Sequence, residues 1–328
     1  MRFGGAPSGA EVHHLRHERL EGRSTGLGSA KILPMLRLVL PKGSLEKATL
    51  QLFSDADLAV TRSSDVNYRA SIADPRIDDV RILRPQEIPV YVADGLFDLG
   101  ITGQDWIEER GSDVVSLGEL NYAKATSTTV RIVLAVAQQS PVTSMADLAA
   151  QSGTLRVSSE YPELTRRVLK THGIEADVSP SYGATEAKVP DIADAVVDLT
   201  ETGSALRAAG LRIIETLLVS PTQLIANPAS AADPVKRHAM EQILTLLLGT
   251  LEARGKVLVK LNVPADRLDG VLGVLPSLRA PTISELSGGG GFALEAVVAK
   301  SDINTLIPAL SDHGATDILE IPLSKIVH

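Results

Sequence analysis

Short apolar runs alternate along the chain with segments in which apolar residues recur every three or four positions. Beyond Met35 the runs predict strands and the periodic segments predict helices. The elements predicted for the first unit are strands at 36–40, 80–84 and 97–103 and helices at 45–56, 88–93 and 105–109. Strands that alternate with helices predict an α/β fold with a doubly wound sheet, in which ligands bind beyond the carboxyl ends of the strands.

The same alternation starts again near Val130 and predicts a second α/β unit. Its predicted elements are strands at 131–137, 154–157 and 193–199 and helices at 144–151, 163–172 and 205–209. Residues 211–219 are predicted to return the chain to the first sheet, with a further short strand at 222–226. Two α/β lobes joined by two crossings of the chain predict a hinged, periplasmic-binding-protein-like core with its ligand in the cleft.

A different pattern occupies the last part of the chain. Pro234 and the apolar period that follows it predict a long connector helix that ends at Gly255. Residues 256–327 then follow the order β-α-β-β-α-β, which is ferredoxin-like. The expected domains are a first lobe at 35–129 and 214–254, a second lobe at 130–213 and a tail domain at 255–328.

Residues 1–34 show no sustained apolar period and are rich in Gly, Ser, Arg and His. They also lack the apolar core of a secretory signal, so we expect a disordered N-terminal extension. His13, His14 and His17 could be read as a metal cluster, but a disordered tail would not hold them in a fixed geometry. We therefore expect no metal site there.

The stretch from Asp191 to Leu206 carries the most informative chemistry. Asp194 and Asp198 are four residues apart in a predicted strand and therefore project from the same face. The loop that follows, Thr200-Glu-Thr-Gly-Ser204, offers three hydroxyls and one glycine in front of a short predicted helix. Such a turn presents free N–H groups to a phosphate, and carboxylates beside it suit a phosphorylated sugar. The alternative is an ordinary strand followed by an N-capped helix.

Three further segments fall at the carboxyl ends of predicted strands in the first unit. They are Lys42-Gly43-Ser44, Arg84 and Thr102-Gly103-Gln104-Asp105. Each alone is a weak signal, because a single lysine or arginine in a loop is usually a solvated charge. Their convergence on one edge of a sheet favours a ligand site.

Composition narrows the function classes. The net charge of −8 and an aromatic content of 3% argue against a nucleic-acid partner, which requires basic and stacking surfaces. The absence of cysteine removes disulfides and thiolate chemistry. No apolar run approaches the roughly 20 residues of a membrane span. We therefore expect a cytoplasmic protein without a membrane partner.

Several segments of the core carry a resemblance in their order along the chain. They are Leu40–Ser44, Leu83–Pro85, Ile88–Pro89, Gly100–Asp105, Gly183–Glu186, Ala193–Ser204 and Leu211–Glu215. Together they resemble one enzyme family, ATP phosphoribosyltransferase, the first enzyme of histidine biosynthesis. The tail, with residues 275–278 and 280–283, resembles the regulatory domain of the family's long form. One departure is Ala205, because the family's phosphate loop usually has threonine at this position.

The resemblance implies that N1 of ATP attacks C1 of phosphoribosyl pyrophosphate and expels pyrophosphate, with magnesium carried on the substrate phosphates. It implies that Arg84 and Lys42 act on the departing pyrophosphate. Asp194 and Asp198 would hold the ribose, with Asp198 counted among the catalytic residues. The remaining implied contacts are Thr200, Glu201, Thr202, Gly203, Ser204 and Ala205 for the 5-phosphate and Gly43, Gly103 and Asp105 for ATP.

The resemblance also implies regulation and assembly. Histidine would inhibit by binding near Asn262 and Thr282, between adjacent subunits of a homo-oligomer, a dimer or hexamer. Arg62 is a further candidate that would reach a neighbouring subunit's site, although a surface arginine is the ordinary interpretation. The alternative function is a non-catalytic two-lobe protein that binds or senses a small molecule. Pyrophosphate release from ATP, phosphoribosyl pyrophosphate and magnesium would distinguish the two.

Overall fold

Three β-sheets organise the part of the chain that the structure describes. The computed structural model describes residues 35–64, 67–122, 130–276 and 280–328. All of these belong to one compact unit, Leu33–His328. The expectations for residues 1–34, including the three histidines, lie outside the described residues, as do Ser277 and Leu278 of the tail motif.

Strands and helices alternate through most of these ranges. The strands are β1 (Leu36–Pro41), β2 (Val60–Thr61), β3 (Arg69–Ile72), β4 (Ile77–Leu83), β5 (Leu99–Gly103), β6 (Val115–Glu119), β7 (Val130–Ala137), β8 (Leu155–Ser159), β9 (Ala176–Pro180), β10 (Ala195–Thr200), β11 (Leu211–Ser220), β12 (Thr222–Ala226), β13 (Lys256–Pro264), β14 (Thr282–Glu285), β15 (Gly291–Ala299) and β16 (Thr316–Pro322). The α-helices are α1 (Glu46–Asp55), α2 (Ile88–Ala93), α3 (Gln104–Arg110), α4 (Met145–Ala149), α5 (Pro162–Thr171), α6 (Ser204–Ala208), α7 (Pro228–Ala232), α8 (Pro234–Ala253), α9 (Leu268–Val274) and α10 (Ile303–Asp312). None of the described helices combines the length and the apolar composition that crossing a bilayer requires.

The first lobe is built on a seven-stranded sheet in the order β2-β3-β4-β1-β5-β12-β6. Strands β4, β1 and β5 are parallel neighbours, whereas β12 runs antiparallel to β5 and β6. Side chains of β1 alternate between two covered faces. Leu38 shares a buried cluster with Phe53 of α1 and Ile243 of α8, while Val39 packs on the other face with Ile88 of α2.

The second lobe is built on a five-stranded sheet in the order β11-β7-β10-β8-β9. The prediction that residues 211–219 return to the first sheet is wrong. Strand β11 pairs antiparallel with β7, from Leu211 opposite Ala137 to Ser220 opposite Val130. Leu211 and Ile213 pack in the second-lobe core, because the five-residue α6 leads the chain back beside β7. The second lobe therefore extends to Ser220, and only β12 returns.

The tail domain is an antiparallel sheet in the order β14-β15-β13-β16, with its helices on one face. Its element order, β13-α9-β14-β15-α10-β16, confirms the predicted ferredoxin-like fold. Val259 and Leu261 of β13 share its core with Leu294 of β15 and Leu310 of α10.

The end of the chain returns from the tail domain to the first lobe. The Ile326 amide donates to the Gly249 carbonyl of α8 at 2.9 Å, and Lys325 is ion-paired with Asp57. A Cβ at Gly249 would lie 3.0 Å from Cγ2 of Val327, so glycine allows the tail to approach the helix. The tail domain is therefore fastened to the first lobe by α8 and by these last residues.

Candidate active site

The predicted phosphate loop forms a tight turn between β10 and α6. Thr200 is buried at the end of the strand, and its hydroxyl oxygen accepts a hydrogen bond from the Gly203 amide at 2.8 Å. Gly203 has a φ of +72°, and a Cβ at this position would lie 2.9 Å from Cδ1 of Ile213. The turn therefore depends on glycine both for its backbone conformation and for space.

The rest of the loop faces outward. Thr202, Ser204 and Ala205 are exposed, and Glu201 is half-buried. The Thr202 hydroxyl donates to that of Ser204 at 3.0 Å, and Arg207 donates to the Thr202 carbonyl at 2.9 Å. These bonds fix the loop while its hydroxyls stay open to a ligand. Ala205 contributes no hydroxyl of its own.

The two aspartates predicted to act together lie at opposite ends of β10. Asp198 stands two residues before Thr200, whereas Asp194 precedes the strand, roughly 13 Å from Asp198 at the usual rise of a strand. Asp194 is ion-paired with Arg156 at 2.6 Å, and hydrogen bonds from that guanidinium hold the pKa of its carboxyl below the ordinary value. The structure brings Asp198 to the phosphate loop and leaves Asp194 away from it.

Asp198 belongs to a group of charged residues at the carboxyl edge of the second sheet. Burial, and then the charge of Glu186, raise its pKa. Glu160 follows β8, and its pKa is also raised, first by burial and then by Asp198 and Glu186. The Lys188 ammonium donates to the Ser181 hydroxyl at 2.6 Å. The sequence analysis missed Glu160 and Lys188, although the position of Glu160 directly after a strand was an available signal.

Lys42 and Arg84 lie side by side at the carboxyl edge of the first sheet. Pro41 pairs with Leu83 in the parallel ladder, so the next residue on each strand is one of these two cations. The Lys42 ammonium lies 4.2 Å from the centre of the Tyr68 ring, a cation–π contact. Arg84 is exposed. The predicted convergence of strand ends thus brings two positive charges together.

A cavity of about 470 Å³ separates the two lobes at this edge. Its first-lobe lining includes Arg84, Gln86 and Trp106, and its second-lobe lining includes Glu160 and Ser181. Arg84 on the first-lobe wall thus faces Glu160 and Ser181 on the second-lobe wall. This is the arrangement expected of a cleft that holds a phosphorylated ligand between two lobes.

The segment predicted to contact ATP divides into an exposed and a buried part. Gly43 is exposed with a φ of +89°, and a Cβ there would meet nothing within 4 Å. Gly103 is buried, and a Cβ there would lie 2.0 Å from Oδ1 of Asp105. Asp105 is buried as well, and its carboxylate accepts hydrogen bonds from Ser220 at 2.7 Å and Tyr161 at 2.8 Å. Burial raises the pKa of Asp105, although these bonds oppose the shift.

Three remaining candidate residues lie elsewhere. Arg62 is ion-paired with Glu46 of α1 at 2.7 Å. In the tail domain, Asn262 pairs with Ala293 and Thr282 pairs with Glu295 in neighbouring ladders, so both project from the sheet face opposite the helices. Asn262 donates to Asp317 at 3.0 Å.

Comparisons with known proteins identify relatives of this chain. A family model described as ATP phosphoribosyltransferase matches residues 84–249, and one described as the C-terminal domain of HisG matches residues 253–325. Proteins named ATP phosphoribosyltransferase from Pelotomaculum thermopropionicum and Desulforudis audaxviator are each 46% identical to this chain. Both alignments cover 89% of this chain and 99% of the relative.

A solved structure is also similar. It is an ATP phosphoribosyl transferase (HisG:HisZ) complex from Thermotoga maritima, with a TM-score of 0.56 and 25% identity. The match covers 66% of this chain and 99% of that one. These similarities do not favour a non-catalytic binding or sensor protein. The chain belongs to the ATP phosphoribosyltransferase family, which catalyses the first step of histidine biosynthesis.

Proposed function

We propose that the cleft between the lobes transfers a phosphoribosyl group from phosphoribosyl pyrophosphate to N1 of ATP and releases pyrophosphate. The observation that carries the proposal is the pairing of opposite chemistries across one cavity. Asp198 adjoins the hydroxyl-rich loop. Its charge helps to raise the pKa of Glu160, which lines the second-lobe wall. Arg84 lines the first-lobe wall and, among the described residues, has no ion-pair partner.

The reaction requires stabilisation of developing charge and does not require a strong general base. The attacking N1 uses a lone pair and has no proton to lose. Negative charge grows on the departing pyrophosphate, and positive charge grows on the sugar. Arg84 and Lys42 would stabilise the negative charge on pyrophosphate, and the carboxylate of Asp198 would stabilise the positive charge on the sugar. Fixed charges act strongly in a cleft that excludes water.

Phosphoribosyl pyrophosphate would bind to the second lobe. The exposed hydroxyls of Thr202 and Ser204, with the backbone amides of residues 200–205 that the turn does not itself use, would hold its 5-phosphate, while the Gly203 amide stays bonded to Thr200 and shapes the turn. Asp198 would accept from the ribose hydroxyls. Asp194 is left out of this proposal, because its carboxylate is already paired with Arg156 at the far end of β10.

ATP would bind against the first lobe. Open space at Gly43 would let the nucleotide approach the backbone there. Gly103 and Asp105 would shape the turn after β5 without touching the nucleotide, because both are buried.

Magnesium would enter on the phosphates of the substrates, whose oxygens it prefers, and would neutralise charge on the leaving group. Within the described ranges, no group of three acidic or histidine side chains is arranged to hold the ion by itself. Burial raises the pKa of Asp198, so a positive charge nearby would favour its ionised form.

Histidine would inhibit from the tail domain of a cytoplasmic homo-oligomer, a dimer or hexamer. The supporting observation is that Asn262 and Thr282 share one face of the tail sheet. Inhibition from that distance requires histidine to favour one conformation or assembly over another. Arg62 is ion-paired with Glu46 of its own subunit, so we assign it no role in a neighbouring subunit's site.

Pyrophosphate release tests the proposal. The purified chain with ATP, phosphoribosyl pyrophosphate and magnesium should release pyrophosphate at a rate that depends on all three. Omission of ATP is the critical control, since a phosphoribosyl pyrophosphate hydrolase would not need it. Release at the same rate without ATP, or no release with the full mixture, would contradict the proposal.

A further inference from the structure

Helix α3 of the first lobe holds the start of helix α5 of the second lobe through two buried carboxylates. Glu109 is 7% exposed, and its carboxylate accepts from the amides of Glu163 at 3.1 Å and Leu164 at 2.9 Å. One turn earlier on α3, Asp105 accepts from the hydroxyl of Tyr161 at 2.8 Å. The first amides of α5 thus take their hydrogen-bond partners from the other lobe.

The second lobe supplies no cap of its own for this helix. Tyr161 occupies the N-cap position and makes no side-chain cap hydrogen bond, and Pro162 follows it. The first amides of a helix have no partner within the helix, and a carboxylate is a favourable one because of the helix dipole. If the lobes separated at this contact, water would have to replace Glu109.

The same contact includes one of the two chain crossings between the lobes. Ser220 ends β11, and its hydroxyl donates to Asp105 at 2.7 Å and accepts from the Asp105 amide at 2.9 Å. The rings of Trp106 and Tyr161 lie 4.7 Å apart between their centres. Helix α3, helix α5 and the crossing therefore form one packed junction, and it borders the cavity, because Trp106, Glu109 and Pro162 line both.

We propose that Glu109 and Tyr161 are positioning residues that set how far the two lobes close for phosphoribosyl transfer. The rate part of this inference rests on the proposed function. Arg84 stands on one wall of the cavity and Asp198 beyond the other, so the angle between the lobes sets the distance between them. A displacement of about 1 Å can cost on the order of 10²-fold in rate. These residues would act on kcat without touching a reacting atom.

The experiment compares Glu109→Ala and Tyr161→Phe with a matched control, Ser144→Ala. The Ser144 hydroxyl caps α4 by accepting from the Asp147 amide at 3.2 Å, so its loss removes a helix cap within one lobe. The chain has no cysteine, so spin labels at Lys47→Cys in the first lobe and Tyr182→Cys in the second report one distance across the cleft. That distance is measured without substrates, and kcat and KM are measured on the unlabelled variants.

We expect both junction variants to shift the label distance toward longer values and to lose about tenfold or more in kcat, with a smaller change in the KM for phosphoribosyl pyrophosphate. Glu109→Gln keeps an acceptor and should recover part of the loss. Ser144→Ala should match the parent in distance and in kcat. Tyr161→Phe keeps the ring against Trp106, so it remains informative if Glu109→Ala fails to fold.

An unchanged label distance in the junction variants, or a loss of kcat equal to that of Ser144→Ala, would overturn the inference. Absence of pyrophosphate release by the parent would instead contradict the proposed function. The label distances would still decide whether Glu109 and Tyr161 hold the lobes together.

Discussion

The hydroxyl of Tyr161 in the second lobe donates a hydrogen bond of 2.8 Å to the carboxylate of Asp105 in the first lobe. This bond places Asp105 at the junction of the lobes, although the sequence led us to expect it at the nucleotide. Gly103 belongs to the same junction. Only glycine at this position leaves space for the Asp105 carboxylate beside it. The turn after β5 therefore connects the lobes beside the cavity, which Trp106 of helix α3 lines.

Arg84→Ala should lower kcat by about 10²-fold or more and change KM much less, because the charge on pyrophosphate grows toward the transition state. Steady-state kinetics with both substrates varied would measure this. Arg81→Ala is the control, since Arg81 lies on β4, the strand that Arg84 follows, and is paired with Asp79. If Arg84→Ala turned over within a few-fold of the parent while remaining folded, the leaving-group role would be wrong.

Gly203→Val should abolish binding of phosphoribosyl pyrophosphate, because the side chain would require a strained φ and would collide with Ile213. Gly210→Val is a matched control: Gly210 has a φ of +73°, but a Cβ there meets nothing within 4 Å. Calorimetry should therefore detect binding by the Gly210 variant and none by the Gly203 variant. Equal affinities would show that the turn does not hold the 5-phosphate.

Asp98 should make the fold sensitive to acid. It is buried, which raises the pKa of its carboxyl, but hydrogen bonds from Lys236, Ser230 and Arg37 outweigh burial and hold the pKa below the ordinary value. A carboxyl group whose pKa is lower in the folded state than in the unfolded state stabilises the fold while it is ionised. For Asp98 this stabilisation is complete above the unfolded-state pKa of about 3.9, and it is lost as the pH falls from that value toward the lower folded-state pKa.

Urea unfolding at several pH values would measure this effect. We expect the free energy of unfolding of the parent to fall below about pH 4 and Asp98→Asn to flatten that dependence. Asp266→Asn, which changes an exposed carboxylate of the tail domain, should leave it as in the parent. The same slope in the parent and in Asp98→Asn would rule out this source of acid sensitivity.

Thr282→Trp should remove inhibition by histidine while leaving catalysis intact, because it fills the sheet face proposed to bind histidine. Inhibition curves at fixed substrate concentrations would measure it. Ser301→Trp, at an exposed residue before α10, is the control and should stay sensitive. Truncation after Arg254 is a poorer test, because it also removes the contacts of Lys325 and Ile326 with the first lobe. Undiminished inhibition of the Thr282 variant would place the histidine site elsewhere.

The sequence predicted the strands and helices whose signals are local. Strand β1 and helix α2 were placed within a residue, because each combines an apolar pattern with a clear boundary. Short strands such as β2 and β3 were missed, because a few residues paired at a sheet edge show no period. Strand β11 was recognised as a strand but placed in the wrong sheet, since alternation does not identify the partner strand.

For the candidate site, too, the sequence predicted the local features and not how residues distant in the chain meet. The loop from Thr200 to Ser204 and the strand-end position of Arg84 were visible, because both follow from local order along the chain. The separation of Asp194 from Asp198 was not, because a shared face says nothing about which end of a strand meets the ligand. The bond between Glu109 and α5 joins residues 54 and 55 positions apart, and no local pattern reports it.

Magnetic resonance of the product tests the central claim most directly. The chain is incubated with magnesium, ATP labelled with ¹⁵N at N1, and phosphoribosyl pyrophosphate labelled with ¹³C at C1. We predict a one-bond ¹³C–¹⁵N coupling in the product, which appears together with stoichiometric pyrophosphate, forms more slowly with Arg84→Ala and is lost in Gly203→Val. Pyrophosphate that forms with free ribose 5-phosphate and no such coupling would contradict transfer to N1 of ATP.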